Sequence, residues 1–130
     1  MEKNFKSWHK EKADLHQHKI RPNFHERGIW FSSAGVNVGF EQDGRGEHFL
    51  RPFLIIKKFN NLVCLAVPLT KNQKKGKYYF QFKFAGNSNV STAILSQIKL
   101  MDAKRLQYKI GEIGEDDFRA VITKIKAFLP

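Results

Sequence analysis

The sequence predicts a mainly β protein, a curled antiparallel sheet of five or six strands with one C-terminal helix packed against it. Three observations predict it. Residues 53–59 and 62–68 are apolar runs of strand length on either side of Asn60-Asn61, a pair suited to a two-residue hairpin because Asn tolerates positive φ. Residues 78–84 alternate, which sets Phe80, Phe82 and Phe84 on one face. Phe118, Val121, Ile122, Ile125 and Phe128 recur at helical spacing.

Taken in order, residues 1–27 are polar, mixed in charge and hold His9, His16, His18 and His25. Phe5, Trp8 and Leu15 are too sparse for an amphipathic helix, so this stretch reads as a loosely docked N-terminal extension to a domain spanning 28–130. Ile29-Trp30-Phe31 reads as a short strand with Trp30 in the core. Residues 37–52 hold three glycines and three acids, the composition of a surface loop, and carry Glu41, Gln42, His48 and Arg51. The hairpin follows and ends at Pro68-Leu69-Thr70. Lys71, Lys74, Lys75 and Lys77 then make a basic, mobile loop. A turn at residues 86–89 leads into a strand over 92–100, a short helical turn near 102–106, and a strand over 108–113. Glu115, Asp116 and Asp117 place acids at the positive end of the final helix.

At 130 residues the chain is one domain with room for a core. No apolar run approaches the ~20 residues of a membrane span, and the N-terminus has no apolar stretch of the signal-peptide kind, so a cytoplasmic protein is expected. The lone Cys64 lies in an apolar strand; it excludes an intrachain disulfide and a cysteine-based zinc site, and reads as a buried small hydrophobe. The formal charge is +11, and its distribution is uneven. Between His48 and Met101 there is no Asp or Glu, while Arg51 and eight lysines, among them Lys57, Lys83 and Lys99, lie inside. A polyanionic partner is implied, most simply nucleic acid, although an acidic protein would exploit the same field and a solubilising surface has the same composition. Tyr78, Tyr79 and the nearby phenylalanines offer rings on which bases could stack.

The ordered set Ile29-Trp30, Gly39-Phe40-Glu41-Gln42-Asp43-Gly44, Arg51-Pro52, Val67-Pro68-Leu69-Thr70, Leu95-Ser96-Gln97-Ile98-Lys99, Lys104-Arg105-Leu106 and Ile110-Gly111-Glu112-Ile113 resembles the PemK/MazF family of bacterial toxin endoribonucleases. The likeness covers about residues 28–128. It implies an SH3-like β-barrel, a homodimer, and metal-independent cleavage of single-stranded RNA with no cofactor. It also implies inhibition by a cognate acidic antitoxin of a type II toxin–antitoxin system. The resemblance assigns central catalytic roles to Arg51 and Thr70 and a contributing one to Glu41. Ile94 and Ser96 stand where one branch of the family carries Arg and Asp, which leaves Ser96 and Gln97 as RNA-binding residues. Gln42, Lys71, Lys74, Lys75 and Lys77 join them.

The residues suit that chemistry. If the substrate's own 2′-OH is the nucleophile, its proton must be removed, a dianionic phosphorane stabilised and the leaving 5′-oxygen protonated. Arg51 offers paired donors to phosphate oxygens and stays charged at any working pH. Thr70 can donate from its hydroxyl. For the base, Glu41 is favoured by the resemblance, while His48 needs no pKa shift; both stay open. Two other classes compete: a CcdB-like gyrase poison on the same barrel, which cuts nothing, and a passive nucleic-acid-binding SH3-like module. An Arg–Thr pair favours the enzyme. A metal nuclease is disfavoured by the acid-free stretch.

Overall fold

The computed structural model describes residues 21–33 and 50–130. Seven strands form one antiparallel sheet: β1 (Gly28–Ser33), β2 (Leu50–Lys58), β3 (Val63–Thr70), β4 (Tyr79–Phe84), β5 (Asn87–Ile94), β6 (Lys99–Asp102) and β7 (Leu106–Glu112). Helix α1 (Glu115–Phe128) follows. The strand order is β4-β5-β3-β2-β1-β7, with β6 paired to β3 beside β5. Among the described residues the end strands β4 and β7 are not hydrogen-bonded to each other, so the expected barrel is an open sheet here. The two ends nevertheless touch. A Cβ placed on Gly111 of β7 would stand 2.6 Å from the Phe84 ring of β4, a distance only a glycine avoids.

Three local expectations change. The strand expected over 92–100 is split by a 3-10 turn at Leu95–Gln97, because the outer edge of β3 is shared. Its first half pairs with β6 through Val63–Asp102 and Ala66–Lys99, and its end pairs with β5 through Leu69–Ala93 and Thr70–Thr92. The chain must turn between the two, and the sheet gains a strand over the five or six expected. At the hairpin, Asn60 uses its side chain rather than positive φ. Its Oδ1 accepts from the backbone N–H of Leu62 at 2.7 Å and of Val63 at 3.0 Å, and Arg27 is the one described non-glycine residue with positive φ. The turn before β5 is shorter than expected, Ala85-Gly86, with Gly86 at φ +88.

Alternation along the strands makes two faces. One packs Ile29, Leu54, Ile56, Val67, Leu69, Phe82, Ala93 and Leu95 against Val121 and Ile125 of α1, as the helical stripe predicted. The other holds Trp30, Phe53, Ile55, Cys64, Ala66 and Met101, covered by Phe24 and Ala103. Burial raises the Cys64 thiol to about 11, with Asp102 adding to the shift, so it is a small hydrophobe at neutral pH.

Phe24 belongs to a stretch, 21–27, that is packed rather than loosely docked. Lys58 Nζ donates to the Phe24 carbonyl at 2.9 Å and lies 4.7 Å over its ring. Arg21 donates to both carboxylate oxygens of Asp102, at 3.1 and 3.3 Å. The left-handed conformation of Arg27 is held by its N–H bonded to the Ile55 carbonyl and its own carbonyl accepting from Ile113, both at 3.0 Å. Residues 1–20, with His9, His16 and His18, lie outside the described residues.

Candidate active site

Arg51 is the second residue of β2 and points to the face opposite α1, with 6% of its surface exposed. It stands opposite Ser32 of β1. On the other side of β2 the paired register ends at Phe53 with Pro68; Arg51 and Thr70, the last residue of β3, each lie two residues beyond that pair, at the same end of the two strands. Thr70 is in turn opposite Thr92 of β5, and Thr92 opposite Gln81 of β4. Directly opposed residues of antiparallel strands share a face. A transverse polar row, Ser32–Arg51–Thr70–Thr92–Gln81, therefore crosses the sheet.

Each member is held differently. The Ser32 hydroxyl is bonded to the Trp30 carbonyl at 3.3 Å. Thr70 Oγ1 accepts from the backbone N–H of Asn72 at 3.2 Å. That bond makes Thr70 a turn cap, and it also leaves the hydroxyl proton free to be given elsewhere. Thr92 is fully buried, and its hydroxyl has no hydrogen-bond partner among the described residues. A dry, unpaired hydroxyl costs about 1–3 kcal/mol. Gln81 Nε2 donates to the Lys74 carbonyl at 2.9 Å.

That last bond pins the basic loop. Lys71, Lys74, Lys75 and Lys77 are exposed, as expected. The loop is tied down in its second half: Gln81 holds Lys74, and Lys124 Nζ of α1 donates to the carbonyls of Gly76 at 3.0 Å and Tyr79 at 2.9 Å. Lys74 and Lys77 lie over the rings of Tyr79 and Tyr78, at 5.7 and 5.0 Å. Ser96 is exposed and Gln97 half-buried on the turn between β5 and β6, beside β3 but outside the transverse row. Glu41, Gln42 and His48 lie outside the described residues.

Three further residues surround the row. Lys99 Nζ lies 5.3 Å over the ring of Phe53, the neighbour of Arg51 on this face. Arg105 Nη1 donates to the Ser33 carbonyl at 3.0 Å, and Gln107 Nε2 to the Ser33 hydroxyl at 3.2 Å. They clamp the end of β1, where the segment bearing Glu41 and His48 departs. Burial lowers the Arg105 pKa, opposed by the charge of Asp102, and a guanidinium so placed remains a cation. Lys99 and Arg105 lie in motifs visible in the sequence, but only the β3–β6 and β1–β7 pairings bring them here. Among the described residues no three His, Cys, Asp or Glu side chains form a metal-binding group.

The profile of the family described as PemK-like, MazF-like toxin of type II toxin-antitoxin system matches residues 35–129. No curated protein matches the chain by sequence. Solved structures share the fold. The Mycobacterium tuberculosis toxin MazF-mt6 is 14% identical, with a TM-score of 0.60 over 78% of this chain and 94% of that one. MazF from Deinococcus radiodurans is 18% identical, with a TM-score of 0.59 over 84% and 96%. An endoribonuclease from Mycobacterial species, solved in complex with its cognate antitoxin, is 12% identical, with a TM-score of 0.60 over 81% and 93%.

Proposed function

The chain belongs to the PemK-like, MazF-like toxins of type II toxin–antitoxin systems, and on that premise we propose that it is an endoribonuclease that cuts single-stranded RNA. The observation that supports the reading is that buried Arg51 and Thr70 lie at the same end of the neighbouring strands β2 and β3, within a stretch that has no carboxylates. The Arg51 guanidinium meets the phosphate with paired donors where charge develops in the transition state. Thr70 donates a hydrogen bond to a phosphate oxygen while the Asn72 N–H holds its oxygen in place. The base, Glu41 or His48, takes the 2′-OH proton. The 2′-oxygen then bonds to phosphorus, the bond from phosphorus to the 5′-oxygen breaks, and that oxygen takes a proton from solvent as it leaves. The products are a 2′,3′-cyclic phosphate and a 5′-OH.

The lysines of the β3–β4 loop, with Ser96 and Gln97, extend the binding surface along the RNA. The same surface would receive an acidic antitoxin segment, and the working unit is a homodimer. Phe84 closing on Gly111 supports reading the sheet as an SH3-like barrel completed by packing rather than by hydrogen bonds. No described helix is long and apolar enough to cross a membrane, in keeping with a cytoplasmic toxin.

The test is incubation of the purified protein with a long unstructured RNA in EDTA. Cleavage is expected, with fragments ending in a cyclic phosphate. A single 2′-deoxy nucleotide at the cut position should abolish cleavage there while binding persists. Binding should weaken steeply with salt, as counterion release requires. Products with a 3′-OH and a 5′-phosphate would overturn the mechanism. An intact RNA would overturn the enzyme and favour a non-cutting, CcdB-like poison.

A further inference from the structure

The least explained group on the polar row is Thr92. On its C-terminal side Ala93 and Ile94 of the same strand and Leu95 of the following turn are buried and apolar, while Ser91 before it is buried and polar. Thr92 is as fully buried as they are, yet it carries a hydroxyl that bonds to nothing among the described residues. Valine has the same shape and strand propensity without the unpaired group. A hydroxyl buried at this point in the row, opposite Thr70, calls for a partner on that face.

Thr70 supplies that partner. Its oxygen has two lone pairs, of which the Asn72 N–H occupies one. As a directly opposed residue on the same face, Thr92 has its Cβ about 4.5–5.5 Å from that of Thr70, a separation that two hydroxyls can span. We propose that Thr92 is a positioning residue, whose hydroxyl donates to the second lone pair of Thr70 when Thr70 donates its own proton to the scissile phosphate. The result is a directed chain: the Asn72 N–H and the Thr92 O–H both point into the Thr70 oxygen, and the Thr70 O–H points into the phosphate. A donor is strengthened when its own oxygen accepts, so the chain favours the state with the most charge on phosphate. No bond other than hydrogen bonds changes. Gln81, on the far side of Thr92, fixes the row to the basic loop.

The inference rests on Thr70 being a donor to the phosphate, and the experiment separates the two. Full-length Thr92→Val, Thr92→Ser and Thr70→Val are compared on a single-stranded RNA transcript at saturating and limiting concentrations, with thermal melts alongside. Thr92→Val should melt at or above the wild-type temperature, because an unpaired buried hydroxyl is gone. Its kcat should fall roughly 3- to 10-fold, the size of one neutral hydrogen bond, with KM unchanged. Thr92→Ser should recover kcat, and Thr92→Val should cost nothing further in a Thr70→Val background. A merely structural Thr92 would move the melt and leave kcat alone. Wild-type kcat in Thr92→Val, with Thr70→Val impaired, overturns the inference and leaves the role of Thr70 standing. Wild-type kcat in Thr70→Val removes both. Should valine disturb the packing, Thr92→Ala must show the same loss in kcat, and an unchanged kcat there overturns the inference equally.

Discussion

Leu54 and Phe53 are neighbours in β2, but they look into different surroundings. Leu54 lies under α1 among aliphatic and aromatic side chains. Phe53 shares its face with Arg51 two residues away and has the Lys99 ammonium over its ring. The same strands thus serve two purposes on alternate residues. The face under α1 is mostly apolar, and its work is stability. The opposite face is apolar only in part: Phe24, Phe53, Ile55 and Met101 make a second core, and the polar row crosses the sheet beside it. A strand periodicity of two lets a small sheet keep a solid core within one residue of a charged site.

If the second core is as structural as the first, removing its cover should be the largest single effect. Phe24→Ala is expected to cost about 3–5 kcal/mol, comparable to or above the ~2–5 kcal/mol for Leu54→Ala. Denaturant unfolding measures both. A Phe24→Ala protein as stable as wild type would reduce the stretch 21–27 to decoration.

The next prediction sets one residue of each face against the other. Arg51→Ala should lower RNA cleavage by roughly 10²–10³, the value of one preorganised donor, while the fold persists. Arg51→Lys should also be badly impaired, since a point charge does not reproduce paired donors. Leu54→Ala should cleave normally per folded molecule. Cleavage rates corrected by the folded fraction from circular dichroism decide it; equal losses in the two variants would erase the division of labour.

The smallest effect concerns the tether of the second face. Burial pushes the Asp102 carboxyl upward, but the hydrogen bonds from Arg21 and the Lys104 N–H outweigh it and hold it below the usual carboxylate range. A depressed pKa contributes stability above the unfolded value of ~3.9 that is lost as pH falls through the lower folded value. With 45% of the Asp102 side chain exposed, solvent screening limits this to about 1 kcal/mol or less. Asp102→Asn should therefore be slightly less stable than wild type at pH 6 and indistinguishable from it once the pH is below the folded pKa. A gap between the two proteins that widens as pH falls would reverse the sign and refute the assignment.

Much of this was legible in the chain. The hairpin, the alternating phenylalanines and the helical stripe are signals within single segments, and the order of short motifs carried the family. What stayed hidden is whatever depends on pairing between distant strands. Thr92 reads as one more β-branched residue in an apolar run, and only the β3–β5 register makes it the neighbour of Thr70. The break in the strand over 92–100 was hidden for the same reason, since Leu95, Ser96 and Gln97 include no glycine or proline and the division is imposed by β3. Arg21 and Phe24 looked like polar extension because a single ring in a charged stretch has no periodicity to declare its burial.

The contact between Gly111 and Phe84 ties two places that are remote in the chain into one unit of variation. Neither can change size alone: a methyl at 111 strikes the ring, and a smaller residue at 84 leaves a gap against bare backbone. Exchange of bulk across the seam is allowed, because ring and backbone meet there by volume rather than by direction. In a set of related chains the pair should drift together, large on one side wherever the other is small. A substitution tolerated at one of them in isolation would point to a sheet that has already loosened at its edge.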